Sequence, residues 1–199
     1  ASQEVLMGIR AEQKEKRYKE ILEKSLDLFI HKGFPGTSVR DIAAAVNSSP
    51  ALLFHYFESK DDILIALLTN AMNGVQSANS MFSGEGTPIE RFDGITHMIF
   101  GSFAQYPESA PFFLLVHQVA IMDSIPARAK EIIGSIPTIE NSIPVILDGQ
   151  KRGEIRAGDP LLLAVTFWSA IQGVAETIAM NPGCPTPDPA WITDILRAR

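Results

Sequence analysis

Residues 37–60 read TSVRDIAAAVNSSPALLFHYFESK, and their spacing decides the fold. Val39, Ile42, Ala43 and Val46 fall three, four and seven apart and line one face of a short helix. Thr37 or Ser38 supplies the oxygen that caps its start. Asn47-Ser48-Ser49 interrupts the pattern, with Asn47 suited to a left-handed turn conformation. Ser49 caps a second helix, and Pro50 occupies a first-turn position where a missing amide hydrogen costs nothing. Leu53, Phe54 and Phe57 are expected to form its buried side. Ser59-Lys60-Asp61-Asp62 reads as a capping box that opens a third helix. Two short helices crossed by a tight turn form the helix-turn-helix unit, which places its second helix in the DNA major groove.

Working outward, ILEKSLDLFIHKGF precedes this stretch as a helix of about residues 11–31 with Ile21, Leu22, Leu26, Leu28 and Phe29 on its apolar face. His31 and Lys32 suit the negative end of its dipole, and Gly33 ends it. From about residue 15 to 68, residue type, order and spacing all resemble the DNA-binding domain of the tetracycline-repressor (TetR) family. The residues that carry the resemblance are Thr37-Ser38-Val39-Arg40-Asp41-Ile42-Ala43, Phe54-His55-Tyr56-Phe57 and Ser59-Lys60. The family often has Ala-Gly-Val-Ser ahead of the recognition helix and a glycine two residues further on. This chain has Val46-Asn47-Ser48-Ser49 and Ala51, and Phe54 where tyrosine is common.

The resemblance implies DNA contacts from the starts of both helices and the exposed side of the second. On this chain these are Thr37, Ser38, Arg40, Ser49, Pro50, Ala51, Leu52, His55, Tyr56 and Lys60. Their chemistry agrees. Lys60 and the helix-start amides suit a phosphate. The His55 ring and the Tyr56 hydroxyl can donate to phosphate oxygens. Arg40 suits a phosphate or a guanine edge, whereas Ala51 and Leu52 offer only apolar contact, as to a thymine methyl.

The net charge of the 199-residue chain is −6. It is unevenly spread: residues 1–60 hold nine Lys and Arg against eight Asp and Glu, and residues 61–199 hold eight against fifteen. A first part at +1 is a weak electrostatic footprint for a DNA binder unless Arg10, Lys14, Lys16 and Arg17 gather on the DNA side. Residues 1–10 read as a polar, flexible arm. The single cysteine, Cys184, excludes an internal disulfide framework and fits a reducing cytoplasm. Glu4, Arg10 and Glu12 interrupt any signal-peptide core, and the apolar run Leu161–Ile171 is shorter than the roughly 20 residues of a membrane span. A soluble, cytoplasmic protein without a membrane partner is expected.

Beyond Lys60 the pattern is helical throughout. Helices are expected over about 60–80, 88–105, 107–122, 126–152, 159–180 and 188–199. Pro137 and Pro144 predict a kink or break in the fourth of these, around 136–143. The fold class is therefore all-α: a three-helix head over residues 1–60 and a helical effector-binding and dimerisation body over 61–199, about nine helices in all.

Aromatic residues and methionines are dense in the body, with polar His97, His117, Gln118 and Gln172 among them. A mostly apolar pocket with a few placed polar groups is how small-molecule sites are built. Phe103, Phe113, His117, Phe167 and Gln172 are the candidate lining of a site for a small hydrophobic effector, which by the resemblance would shift the helix from Lys60 and move the reading heads. No cluster at metal-ligand spacing, phosphate loop or catalytic motif is present, so no metal, cofactor or enzymatic activity is expected.

Small residues Ala164, Ala170, Gly173 and Ala175, with apolar Trp191, Ile192, Ile195 and Leu196, point to a homodimer through the eighth and ninth predicted helices, 159–180 and 188–199. The sequence thus reads as a dimeric transcriptional regulator, most simply a repressor, on a palindromic double-stranded DNA operator. The alternatives are a DNA-binding regulator with a filled core and no ligand, and a carrier or enzyme built on the same scaffold.

Overall fold

The computed structural model describes residues 2–198, with side chains from Met7 onward. Arg199, expected to close the last helix, lies outside the described residues. Ten α-helices follow one another: α1 Ser2–Lys32, α2 Val39–Ala45, α3 Pro50–Leu53, α4 Lys60–Ser80, α5 Pro88–Gln105, α6 Ser109–Ile121, α7 Ala127–Ile133, α8 Thr138–Lys151, α9 Pro160–Met180 and α10 Pro189–Thr193. A single 3-10 turn, Met81–Ser83, follows α4. The all-α expectation holds among the described residues.

Several differences have plain causes. The lead expected as an arm is instead helical, and α1 starts at Ser2. It then runs on to Lys32 and stops at Gly33, whose φ of +78° turns the chain away. The helix expected over 126–152 is two helices. Its break falls at Gly134–Pro137, slightly before the expected place, and Pro144 is accommodated inside α8. Pro144 is exposed, as is Glu140, whose carbonyl it leaves without a helical donor, so water can satisfy that group. The last helix is short, because after Thr193 the chain turns to pair with residues 154–156. Arg156 donates its amide to the Leu196 carbonyl at 2.8 Å, and Ala198 donates to Glu154 at 2.9 Å.

Two apolar clusters organise the molecule. One gathers Ile21, Leu22, Leu26 and Phe29 of α1, Ile42 of α2, Leu53 of α3 and Ile63, Leu64, Leu67 and Leu68 of α4. It continues into Leu115 and Val119 of α6 and Ala129 of α7. The other fills the body with Phe82, Phe92, Phe100, Phe103, Ile146, Phe167, Ile171 and Leu196. Here Phe92 and Phe167 meet edge to face at 5.0 Å between ring centroids. α9 packs on α8 and α6, and α10 packs on α5.

Taken as a whole helix rather than as its longest apolar run, α9 is long and apolar enough by length and composition to cross a membrane. In the structure it buries Ala164, Phe167, Ile171 and Ala175 against neighbouring helices, and Gln172 and Glu176 hydrogen-bond there. It is a core helix of the body.

A candidate DNA-binding surface and the body behind it

Each short helix of the head is pinned by a serine. The Ser38 hydroxyl accepts from the Asp41 amide, and the Asp41 carboxylate takes the Ser38 amide at 2.7 Å, completing a capping box. Lys32 closes on the same carboxylate at 2.8 Å, tying the end of α1 to the start of α2. These partners hold the Asp41 carboxyl well below the usual carboxylate range, Lys32 contributing most. Ser49 accepts from the Leu52 amide at 3.2 Å and starts α3 ahead of Pro50. Ser59 does the same for Asp62 at 3.2 Å in α4. Asn47 takes the left-handed conformation, φ +49°, at the turn between α2 and α3.

α3 is a single turn, so its side chains separate sharply. Leu53 is buried, and Phe57, four residues on, is buried beside it and stacks on Tyr18 of α1 at 5.0 Å. Phe54 does not join them. It was expected inside and is 52% exposed, because it lies past the end of the helical turn and points away from the Leu53–Phe57 side.

The ten residues expected to touch DNA divide into two groups. Ser38, Arg40, Ser49, Pro50, Ala51, Leu52 and His55 are exposed or partly so, and Tyr56 is half-buried. Thr37 and Lys60 are turned inward. Thr37 is 2% exposed, and its hydroxyl donates to the Gly33 carbonyl at 2.8 Å, closing the end of α1. Its side chain is thereby withdrawn from any surface contact. The Lys60 ammonium donates to the carbonyls of Phe34 and Thr37 at 2.7 and 2.9 Å and lies 4.1 Å from the centre of the Phe34 ring. Burial draws its pKa below the usual lysine value, against the charge of Asp61. Both residues hold the loop 33–37 that sets α2 in place.

The head also brings together residues that the sequence left scattered. Arg10, Gln13, Lys14 and Arg17 of α1 share an open groove of about 560 Å³ with Leu52, His55 and Tyr56. Arg17 is fixed in it, donating to the Val46 carbonyl at the helix-turn-helix turn at 3.0 Å and to Glu20 at 2.8 Å. Of the four cations whose position mattered, Lys16 alone is not part of this groove. Gln13 was not anticipated; its only signal is its place one turn from Arg10 and Arg17.

The family model of bacterial regulatory proteins, tetR family, matches residues 21–67. That span runs from the core of α1 through both crossed helices to the first turns of α4. The head is that of the TetR family. The chain is a helix-turn-helix transcriptional regulator. The transcriptional regulator RutR of Escherichia coli K12 is 24% identical over 170 residues, covering 85% of this chain and 78% of RutR. The TetR-family regulator PfmR of Thermus thermophilus superposes with a TM-score of 0.70 at 26% identity, covering 89% of this chain and 97% of PfmR. AibR, solved with isovaleryl coenzyme A and operator DNA, superposes with a TM-score of 0.65 at 21% identity, covering 89% and 94%.

In the body behind this head, four of the five expected effector residues lie along one seam. Phe103 of α5 meets Phe113 of α6 edge to face at 5.9 Å. Gln172 of α9 donates to the Phe113 carbonyl at 3.1 Å and to Glu176 at 2.6 Å, and His117 of α6 donates to the same Glu176 oxygen. Phe167 is set apart, fully buried between Phe92 and Trp168. Burial pushes the Glu176 carboxyl up, but the hydrogen bonds from Gln172 and His117 and the charge on His117 outweigh it and bring the group below its ordinary value.

A separate apolar groove of about 610 Å³ runs between α9 and the proline-rich loop before α10, with Val174, Ile178, Pro185 and Ile192 in its walls. Ile192 and Leu196, expected at a dimer contact, are buried in the chain's own body, as are Ala164 and Ala175. Trp191 remains exposed.

Proposed function

We propose that this regulator is a homodimeric repressor that reads a palindromic operator and is released by a small, largely apolar effector held in the body. The carrying observation is the accessible row of Ser38, Arg40, Ser49 and His55 on a head in which serine caps pin the starts of α2, α3 and α4. Arg40 is the residue suited to a bidentate base contact, and Tyr56 and His55 are suited to phosphates. Residues 1–60 read the DNA and residues 61–199 sense the effector.

The dimer forms across α8 and α9, whose exposed Leu147, Leu161, Leu162 and Val165 have no cover within the chain. This moves the contact away from the last helix, which closes its own body. Two heads related by a twofold axis suit half-sites about 34–36 Å apart.

The effector enters at the α5–α6–α9 seam by parting Phe103 from Phe113. AibR, bound to both an acyl-coenzyme A and its operator, supports a ligand of partly apolar character. A second reading, a regulator with a filled body under the control of a protein partner, is favoured by the same ring-on-ring packing. Thermal shift with a panel of apolar acids and acyl thioesters separates the two: a ligand that raises Tm and weakens DNA binding supports the effector.

Gel shift on DNA flanking the chain's own gene tests the regulator. Wild type is expected to prefer one palindromic fragment over random DNA, and Arg40→Ala with Tyr56→Phe to weaken that preference, by about 1–3 kcal/mol if Arg40 reads a guanine. No preference by wild type defeats the proposal.

A further inference from the structure

We infer that the N-terminal half of α1 is a second DNA-contacting wall, a rigid basic overhang that grips phosphates beside the recognition turn. The inference rests on the DNA-binding reading above and deepens it. α1 enters the core of the head only at Tyr18 and Ile21. The segment before that, Ser2–Arg17, continues as helix for about 24 Å at 1.5 Å per residue. Arg10, Lys14 and Arg17 succeed one another at four and three residues, and Ile21 follows at four. The cations therefore extend the same face of α1 that is apolar inside the head. Where that face meets protein it carries Ile21, Leu22 and Leu26, and where it overhangs it carries cations.

Of the acidic residues described on α1 near the groove, Glu20 pairs with Arg17, and the other two sit elsewhere. Glu12 and Glu15 are exposed and outside the groove, and Glu15 pairs with Lys19. Across the groove stand Leu52, His55 and Tyr56 of the recognition turn. The surface that complements such a groove is polyanionic, and the recognition turn on its other side makes that surface the DNA backbone. The overhang also answers the charge problem. A first part at +1 is weak on average, but three of its nine cations, Arg10, Lys14 and Arg17, gather in this groove. Arg17, hydrogen-bonded to Val46, ties the overhang to the helix-turn-helix turn, so both walls meet DNA as one rigid surface.

Fluorescence anisotropy with a random-sequence 30-bp duplex pool tests this across about 50–200 mM salt. Wild type is compared with an Arg10→Ala, Lys14→Ala double variant and with the charge-preserving Arg10→Lys, Lys14→Arg pair. Arg17 is left intact because it holds the turn. Loss of two phosphate contacts is expected to make the log–log salt slope shallower by about 1.8 for each bound head, while the swapped pair keeps the wild-type slope. Both altered side chains are exposed, so Tm should not move. An alanine variant with the wild-type slope and affinity overturns the inference. If wild type prefers no palindromic fragment in the gel shift yet the salt slopes still differ, the operator reading fails and the overhang stands.

Discussion

Lys60 uses two of its three N–H donors on the carbonyls of Phe34 and Thr37, and its ammonium lies over the Phe34 ring. Lys60→Ala strands the Thr37 carbonyl and leaves the Phe34 carbonyl only the Thr37 amide at 3.3 Å, and it should lower the unfolding free energy by about 2 kcal/mol, since hydrogen bonds to a charged donor contribute about 1.5–3 kcal/mol. Urea denaturation reads this directly, and an unchanged midpoint would mean that the loop 33–37 holds itself. The position was legible in the sequence as a cation at a helix start, but its direction was not, because the carbonyls it reaches lie 23 and 26 residues away. Thr37 shows the same limit: its type suits a helix cap, and only packing reveals that it caps the helix before it. Asn47 is the opposite case. Its left-handed conformation was readable from the local sequence, because short polar side chains tolerate that region where others clash.

Helix starts were readable and helix ends less so. Ser38, Ser49, Ser59, Asp159 and Asp188 each bond an amide of the turn they begin, a chemistry written within three residues. The end of α10 depends instead on a partner far along the chain, the Glu154–Arg156 segment. The turn into that segment leaves little room. A Cβ added to Gly149 would lie 2.5 Å from Ile155 Cδ1 and 3.1 Å from Pro88 Cβ, both on buried residues. Gly149→Ala is therefore expected to cost about 1–3 kcal/mol through overpacking. Chemical denaturation measures the loss, and Gly101→Ala, where nothing lies within 4 Å, provides the control. Gly101 is itself inside a helix, so the control should be neutral or stabilising.

At the scale of the molecule, α6 carries two adjacent grips. His117 holds Glu176 of α9, and Gln118 donates to the Ile30 carbonyl in the last turns of α1 at 3.1 Å. Glu176 has a folded pKa below its unfolded value, so the unfolded state binds the extra proton. Its stabilising contribution is full above the unfolded value of about 4.5 and is lost as pH falls through the depressed folded value. Glu176→Gln should flatten the acid limb of stability against pH, measured by urea midpoints between about pH 3 and 6. The dimer proposal is tested at this scale too. Leu162 is 62% exposed, and Leu162→Glu should turn a dimer into a monomer by light scattering with its helical circular dichroism intact. A dimer that survives moves the contact off α9. The cluster beneath the head has a different consequence, for exchange between proteins. Leu115, Val119, Ile125 and Ala129, from α6, α7 and the turn between them, pack in the same cluster as Ile21, Ile42 and Leu53. The reading head is therefore not a cassette that ends at residue 60. A chimaera that grafts another protein's head onto this body inherits half of a fitted joint, and it will respond to its effector only if the new α1 and α4 also match the faces of α6 and α7.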